Sequence, residues 1–189
     1  MLVVSPHLDD GIFSCGQVLA AHPGSTVATV LAGVPSADHP LTGWDARMGY
    51  ESSRAAVLAR REEDAAACAQ LGAMAVWLDG FDGQYERRPD HDQMLAAQLT
   101  DVLRDHAGDS VFLPLGIARV DHELVAALAR TVASSLAIPF SIYEELPYRV
   151  QFPAARDAAV ERLWRDGWKL KLVVQQRGSV DAKETALEC

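Results

Sequence analysis

The stretch Ser5-Pro6-His7-Leu8-Asp9-Asp10 brings one imidazole and two carboxylates within four residues of chain. An imidazole and one carboxylate can hold a divalent metal, and the second carboxylate stays free to take a proton from water. The stretch follows the apolar run Leu2-Val3-Val4 and precedes Gly11 to Ala21, whose apolar residues recur at helical spacing. A short buried strand therefore ends at the chemistry, and a helix starts just beyond it. In an open α/β sheet such a turn lies on the edge where ligands and ions bind. A second cluster, Arg119-Val120-Asp121-His122-Glu123, has the same context, after a strand broken by Pro114 and Gly116. In a parallel sheet these turns open on one edge, so His7, Asp9, Asp10, Asp79, Asp82 and His122 are expected to converge. His7, Asp10 and His122 form a two-His, one-carboxylate set with open positions, the pattern of a catalytic divalent metal, most often zinc. Asp9 is then left as the general base. The competing reading is helix capping, with Asp9 or Asp10 at one helix start and Asp121 at another. Asp121 is expected to cap and also to accept a hydrogen bond from His122.

The elements that position these groups alternate between strand and helix. Strands are expected at Leu2 to Ser5, Thr26 to Ala32, Ala75 to Leu78, Ser110 to Leu113 and Pro139 to Tyr143. Helices are expected at Gly11 to Ala21, Ser53 to Leu71, Asp90 to His106 and Asp121 to Leu136. Val34 to Tyr50 has no period and reads as a long loop, a length that is usually functional in a compact domain. Val150 to Ala159 stays open, Lys169 to Gln176 reads as an extra strand, and the last residues as the start of another helix. This alternation implies an α/β domain with a mainly parallel, layered sheet. Asp79, Asp82 and Tyr85, in a Gly-rich turn at the same edge, are candidate substrate contacts, against the alternative that they only shape the turn. Arg47, Arg54 and Arg61 could bind substrate hydroxyls or a phosphate, or pair with Glu51, Glu62 and Glu63 along one helix. Trp44, Phe81, Tyr85 and Trp168 could stack on a sugar face, whereas Trp77 reads as core. His22, His39, His91 and His106 read as surface or loop residues without a role.

Composition excludes several function classes. With 49% hydrophobic and 23% charged residues over 189 positions, the chain is an ordinary globular domain. A net charge of −9 argues against nucleic-acid and anionic-membrane partners, which reward clustered Lys and Arg. No segment has the roughly 20 apolar residues of a membrane span. The start enters a strand at once, without the basic and small-residue signals of a secretory leader, so a cytoplasmic location is expected. Cys15, Cys68 and Cys189 are odd in number and lack metal-type spacing, which fits free thiols in a reducing compartment. A nucleotide-binding domain is disfavoured: the first strand–helix turn lacks a Gly-x-Gly-x-x-Gly cradle, and two Asp there would repel a pyrophosphate.

Pro6-His7-Leu8-Asp9-Asp10 and Asp121-His122, with Arg61-Glu62-Glu63-Asp64, Leu71-Gly72 and Tyr143-Glu144-Glu145-Leu146-Pro147-Tyr148 in that order, give the chain a family resemblance. It resembles the zinc-dependent N-deacetylases related to phosphatidylinositol N-acetylglucosamine de-N-acetylase, the LmbE-like or PIG-L family. The resemblance implies a Rossmann-like three-layer fold and a hydrolase removing an N-acetyl or other N-acyl group from an amino sugar or related linear amide. It implies Zn2+, with Fe2+ as the alternative, held by His7, Asp10 and His122, and Asp9 as general base. The implied partner is a small N-acyl amino sugar or conjugate; homo-oligomerisation is left open. Many members carry a second His three residues before the ligand His, where this chain has Arg119. Arginine stays charged and is a poor proton donor but can hold an oxyanion, so Arg119 is the candidate for that place. Members usually continue beyond the segment matching Lys183 to Cys189, so residues 1–189 are read as one deacetylase-like domain short of its C-terminal end. The alternative reading is a non-catalytic metal- or sugar-binding module of the same fold.

Overall fold

The computed structural model describes residues 1–85, 87, 89–173 and 178–189. Its elements are β1 (Leu2–Ser5), α1 (Asp10–Ala20), β2 (Thr26–Thr29), α2 (Gly43–Arg47), α3 (Ser53–Gln70), β3 (Met74–Trp77) and α4 (His91–Asp105). There follow β4 (Val111–Pro114), α5 (Val120–Ser135), β5 (Phe140–Tyr143), α6 (Tyr148–Gln151), α7 (Pro153–Arg165) and α8 (Val180–Leu187). The five strands run in the order β3-β2-β1-β4-β5, and every pairing is parallel. All strand carboxyl ends therefore open on one edge, with β1 at the centre.

Alternation along the central strand explains the layers. Leu2 and Val4 point to one face and join Leu95, Leu99 and Leu103 of α4 and Val125, Ala129 and Val132 of α5. Val3 points to the other and joins Ile12 and Leu19 of α1, Ala67 and Cys68 of α3 and Ala186 of α8. β1 is completely buried on both sides, which is why its sequence is a continuous apolar run. The α/β three-layer class is as expected.

Several boundaries differ from the expectation for physical reasons. β2 ends at Thr29, and the next residues join the end of β1 to the loop after β3: Val30 N and Leu31 N donate to Ser5 O and Pro6 O, each at 2.9 Å. Leu31 and Asp79 form an isolated antiparallel bridge, and Gly33 N donates to Gly80 O at 2.7 Å. The 34–50 stretch holds α2, capped by Thr42 Oγ1, which accepts from Asp45 N at 3.1 Å. Residues 150–159 fall in α6 and α7, with Phe152 between them. Residues 169–173 form no strand, with Leu172 89% exposed; 174–176 lie outside the described residues. Trp77 is half-buried rather than core, because β3 is an edge strand; its Nε1 donates to Asp64 Oδ2 at 2.8 Å. His91 is buried, not superficial, and accepts from Phe81 N through Nε2 at 3.0 Å. Among the described residues no helix is long and apolar enough to cross a membrane.

Candidate active site

The turn after β1 is stapled by Ser5. Its hydroxyl donates to His7 O at 2.7 Å and accepts from Gly11 N at 2.8 Å. Asp9 sits in the left-handed region at φ 81, with its N–H donating to Asp64 Oδ1 on α3 at 3.3 Å. A non-glycine residue there is strained, and the buried Asp64 carboxyl helps to hold it. The turn after β4 is built around Gly116 at φ 89, where an added Cβ would come within 3.0 Å of the Ala126 side chain. That turn wraps the fully buried Glu145: Oε1 accepts from Gly116 N at 2.8 Å and Ile117 N at 3.2 Å, and Oε2 from Leu115 N at 3.2 Å.

Between these turns the predicted metal ligands meet. The His7 and His122 ring centroids are 5.2 Å apart, and one atom from each of His7, Asp10 and His122 lies within 4.8 Å of the others. Asp10 Oδ2 is the hub. It lies 3.2 Å from His7 Nδ1 and 3.2 Å from His122 Nε2, and accepts from His7 N at 3.1 Å. His122 is wholly buried, and its Nε2 makes no hydrogen bond despite that proximity. Its Nδ1 is 3.3 Å from Glu145 Oε1, which fixes the ring and leaves Nε2 aimed at the hub. An orphaned, buried imidazole nitrogen beside a second imidazole and a carboxylate is a donor set that fits a divalent cation.

A second grouping of potential ligands, His7, Asp82 and Asp121, is equally close. Asp82 Oδ2 is 3.9 Å from His7 Nε2. Asp121 is already engaged: Oδ2 accepts from His7 Nε2 at 3.2 Å and Gly83 N at 2.8 Å, and Oδ1 accepts from the Arg87 guanidinium. A fixed positive charge at that carboxylate makes this grouping the poorer home for a cation.

The electrostatics follow from burial and pairing. Burial opposes the imidazolium form of His7, but the carboxylates of Asp10 and Asp121 outweigh it and raise the pKa to about 9. Burial would raise Asp10, yet the adjoining His122 and His7 hold it well below the usual carboxylate range. Asp121 is held low in the same way by His7, the Gly83 N–H and Arg87, against burial. Asp9 goes the other way: burial first, then the neighbouring Asp64, push its carboxyl up to about 6.

His7, Asp10, His122 and Asp82 are thus brought together, with Asp9 in the same turn but its carboxyl among Asp64, Arg60, Glu63 and Asp10. Arg119 is exposed at the start of α5, its guanidinium 5.6 Å from the Tyr148 ring centroid. Arg61, Asp79 and Tyr85 are not part of the cluster. Arg61 Nε donates to Ala32 O at 2.8 Å and its guanidinium lies 5.0 Å from the Trp77 ring centroid. Asp79 accepts from Gln98 Nε2 at 2.7 Å. Tyr85 is buried, with its hydroxyl donated to Asp45 Oδ2 at 3.0 Å. Trp168 packs on Phe140 with ring centroids 5.5 Å apart, away from these ligands.

The structure corrects both roles expected of Asp121, which lies inside the first turn of α5, where the N-cap is Arg119 with no side-chain hydrogen bond. Asp121 accepts from His7, not His122; the partner of His122 is Glu145, from the segment after β5. Sequence reasoning also missed Tyr148, whose ring stands edge-on to His122 with centroids 4.6 Å apart, and Arg87. The available signal for Glu145 and Tyr148 was their place just past a strand at the carboxyl edge, in Tyr143-Glu144-Glu145-Leu146-Pro147-Tyr148.

Comparison with known proteins gives concordant results. The PIG-L family, GlcNAc-PI de-N-acetylase, matches residues 2–133. A 2'-N-acetylparomamine deacetylase from Streptomyces fradiae is 31% identical over 180 residues, an alignment covering 87% of this chain and 62% of that protein. The chain therefore spans less than two thirds of that relative's length. The crystal structure of A40926 pseudoaglycone deacetylase superposes with a TM-score of 0.75 at 24% identity, over 99% of this chain and 79% of that one. The zinc-inhibited form of a teicoplanin deacetylase gives a TM-score of 0.65 at 26% identity, over 79% of this chain and 68% of that one.

Proposed function

The chain belongs to the PIG-L (GlcNAc-PI de-N-acetylase) family, and from that premise we propose that it is a metal-dependent hydrolase removing an N-acetyl or other N-acyl group from an amino sugar or a related linear amide. The observation that carries this reading is the orphaned, buried His122 Nε2 facing Asp10 Oδ2 beside His7. His7, Asp10 and His122 would hold the metal; zinc suits this donor set, and ferrous iron is the alternative. When bound, the metal supplies Lewis acidity to the amide carbonyl and acidifies the attacking water.

The residues of the chain do the rest. Water adds to the amide carbon, the carbon–nitrogen bond breaks, and the products are a carboxylic acid and a free amine. Asp9, with its carboxyl pushed up to about 6 by burial and Asp64, accepts the water proton and passes it to the departing nitrogen. Glu145 holds His122, and Asp121 holds His7. Arg119 is assigned to the developing oxyanion, and Asp82, at the edge of the cluster, to a substrate hydroxyl. Arg61, Asp79 and Tyr85 are the remaining proposed substrate residues. We read residues 1–189 as one domain working in the cytoplasm on a small N-acyl amino sugar or conjugate, a class consistent with what the Streptomyces fradiae relative is named for.

One observation favours a second reading, a non-catalytic metal- or sugar-binding module: Asp9's carboxyl lies among α3 charges. Amine release from a panel of N-acetylated amino sugars separates the two. The hydrolase releases amine, stops on chelation, recovers with metal, and loses turnover but not metal in Asp9→Ala. A metal-loaded chain inert on every amide is the module.

A further inference from the structure

We infer that Tyr148 is a further catalytic residue: its hydroxyl, steadied by Arg119, donates a hydrogen bond to the amide oxygen as that oxygen gains charge beside His7, Asp10 and His122. The inference rests on the hydrolase reading above and adds a second donor beside Arg119 at the oxyanion.

The position of the ring is set by two independent restraints. Glu145 is pinned inside the turn after β4 by the backbone N–H groups of Leu115, Gly116 and Ile117. Arg149 N donates to Glu145 O at 2.9 Å, so Tyr148 follows from that anchor through one tight turn. The same segment therefore grips His122 twice, with the Glu145 carboxyl on Nδ1 and the Tyr148 ring edge-on at 69°. On its outer side the ring stacks with Phe152, with centroids 6.4 Å apart and planes at 17°, and the Arg119 guanidinium lies over it. The charged groups that act on the Tyr148 hydroxyl include Asp10, Arg119 and Asp82, two of them at the ligand cluster. The edge-on contact with His122 and the Arg119 guanidinium beside the ring place Tyr148 at the rim of the ligand cluster.

Chemistry favours this group over its neighbours. Both imidazoles of the cluster are committed as ligands. Asp10, Asp82 and Asp121 repel a developing negative charge. Among nearby described hydroxyls, Ser5 is spent on the turn and Tyr85 on Asp45. Arg119 brings a permanent charge on a long exposed stem; the phenol brings a rigid, half-buried donor, and a cation over its face favours that placement.

Tyr148→Phe removes only the oxygen and keeps the ring packed on His122 and Phe152. In the metal-loaded full chain it should lower kcat for an N-acetylated amino sugar by about 100- to 1,000-fold, the usual cost of one oxyanion donor, with KM, metal affinity and Tm unchanged. A second readout is calorimetric binding of a phosphonamidate analogue of the same sugar, whose anionic tetrahedral group mimics the intermediate. Its affinity should fall at least tenfold in Tyr148→Phe, while binding of the uncleaved amide to metal-free protein stays the same. Wild-type kcat and analogue affinity in Tyr148→Phe would overturn the role while leaving the hydrolase standing. A wild-type chain that holds metal yet neither cleaves amides nor prefers the analogue would overturn the hydrolase reading and this role with it.

Discussion

Replacing Glu145 tests how much of the site depends on a residue that touches no substrate. Its side chain is 0% exposed and serves Gly116 N, Ile117 N and His122 Nδ1 from one oxygen and Leu115 N from the other. Leu115 N also donates to Tyr143 O at 2.9 Å, so it keeps a partner when Glu145 is lost. Glu145→Ala orphans the other three groups at about 1–3 kcal/mol each. Water entering the vacated space repays part of this, so we expect a loss near the lower end, about 3–5 kcal/mol. In a domain of this size each kcal/mol moves Tm by about 2–4 °C, so thermal melting of the metal-free variant should drop by at least about 6 °C. Glu145→Gln keeps one acceptor oxygen and misplaces a single amide group, so its cost should be about 1–3 kcal/mol. His122 loses its orienting partner in the alanine variant, and metal affinity, read by competition with a chromophoric chelator, should weaken about 10- to 100-fold. A Glu145→Ala protein that melts within about 2 °C of wild type, or binds metal as tightly, would refute the reasoning.

His122→Ala should lose more metal affinity than the about 10- to 100-fold that removing a supporting residue costs, as measured by the same competition. In metal-free protein the folded His7 pKa, about 9, lies above its ordinary value of 6.5. Its contribution to stability is therefore fully present below pH 6.5 and is lost as pH rises through 9, so denaturant midpoints of the metal-free chain should fall across that window. Burial pushes the Cys15 and Cys68 thiols up to about 12, whereas Cys189 is exposed. Native protein should take up one equivalent of iodoacetamide quickly and all three only when denatured, as counted by mass spectrometry.

The sheet was legible because β1 and β4 are buried on both faces and read as unbroken apolar runs, while α3 ends in Leu71-Gly72 with Gly72 at φ 67. The convergence of His7, Asp10 and His122 was legible for a topological reason: parallel strands put distant turns on one edge. Pairings across that edge were not. Asp121 serves His7 and not its chain neighbour His122, because a residue near a helix start directs its side chain by the turn it packs on, here the Gly83 N–H and Arg87. Glu145 belongs to a motif visible in the sequence, but that its carboxyl enters a nest of three backbone amides depends on how the turn around Gly116 closes. Trp77 looked like core because composition cannot tell an edge strand from a central one. Residues 169–173 form no strand although Leu170, Leu172 and Val173 are apolar, since nothing in their composition says whether a partner edge is free.

Anomalous diffraction from zinc-soaked crystals would test the central claim most directly. A single strong peak in contact with His7, Asp10 and His122 is the expected result. A peak held instead by His7, Asp82 and Asp121, or no peak at either grouping, would contradict it.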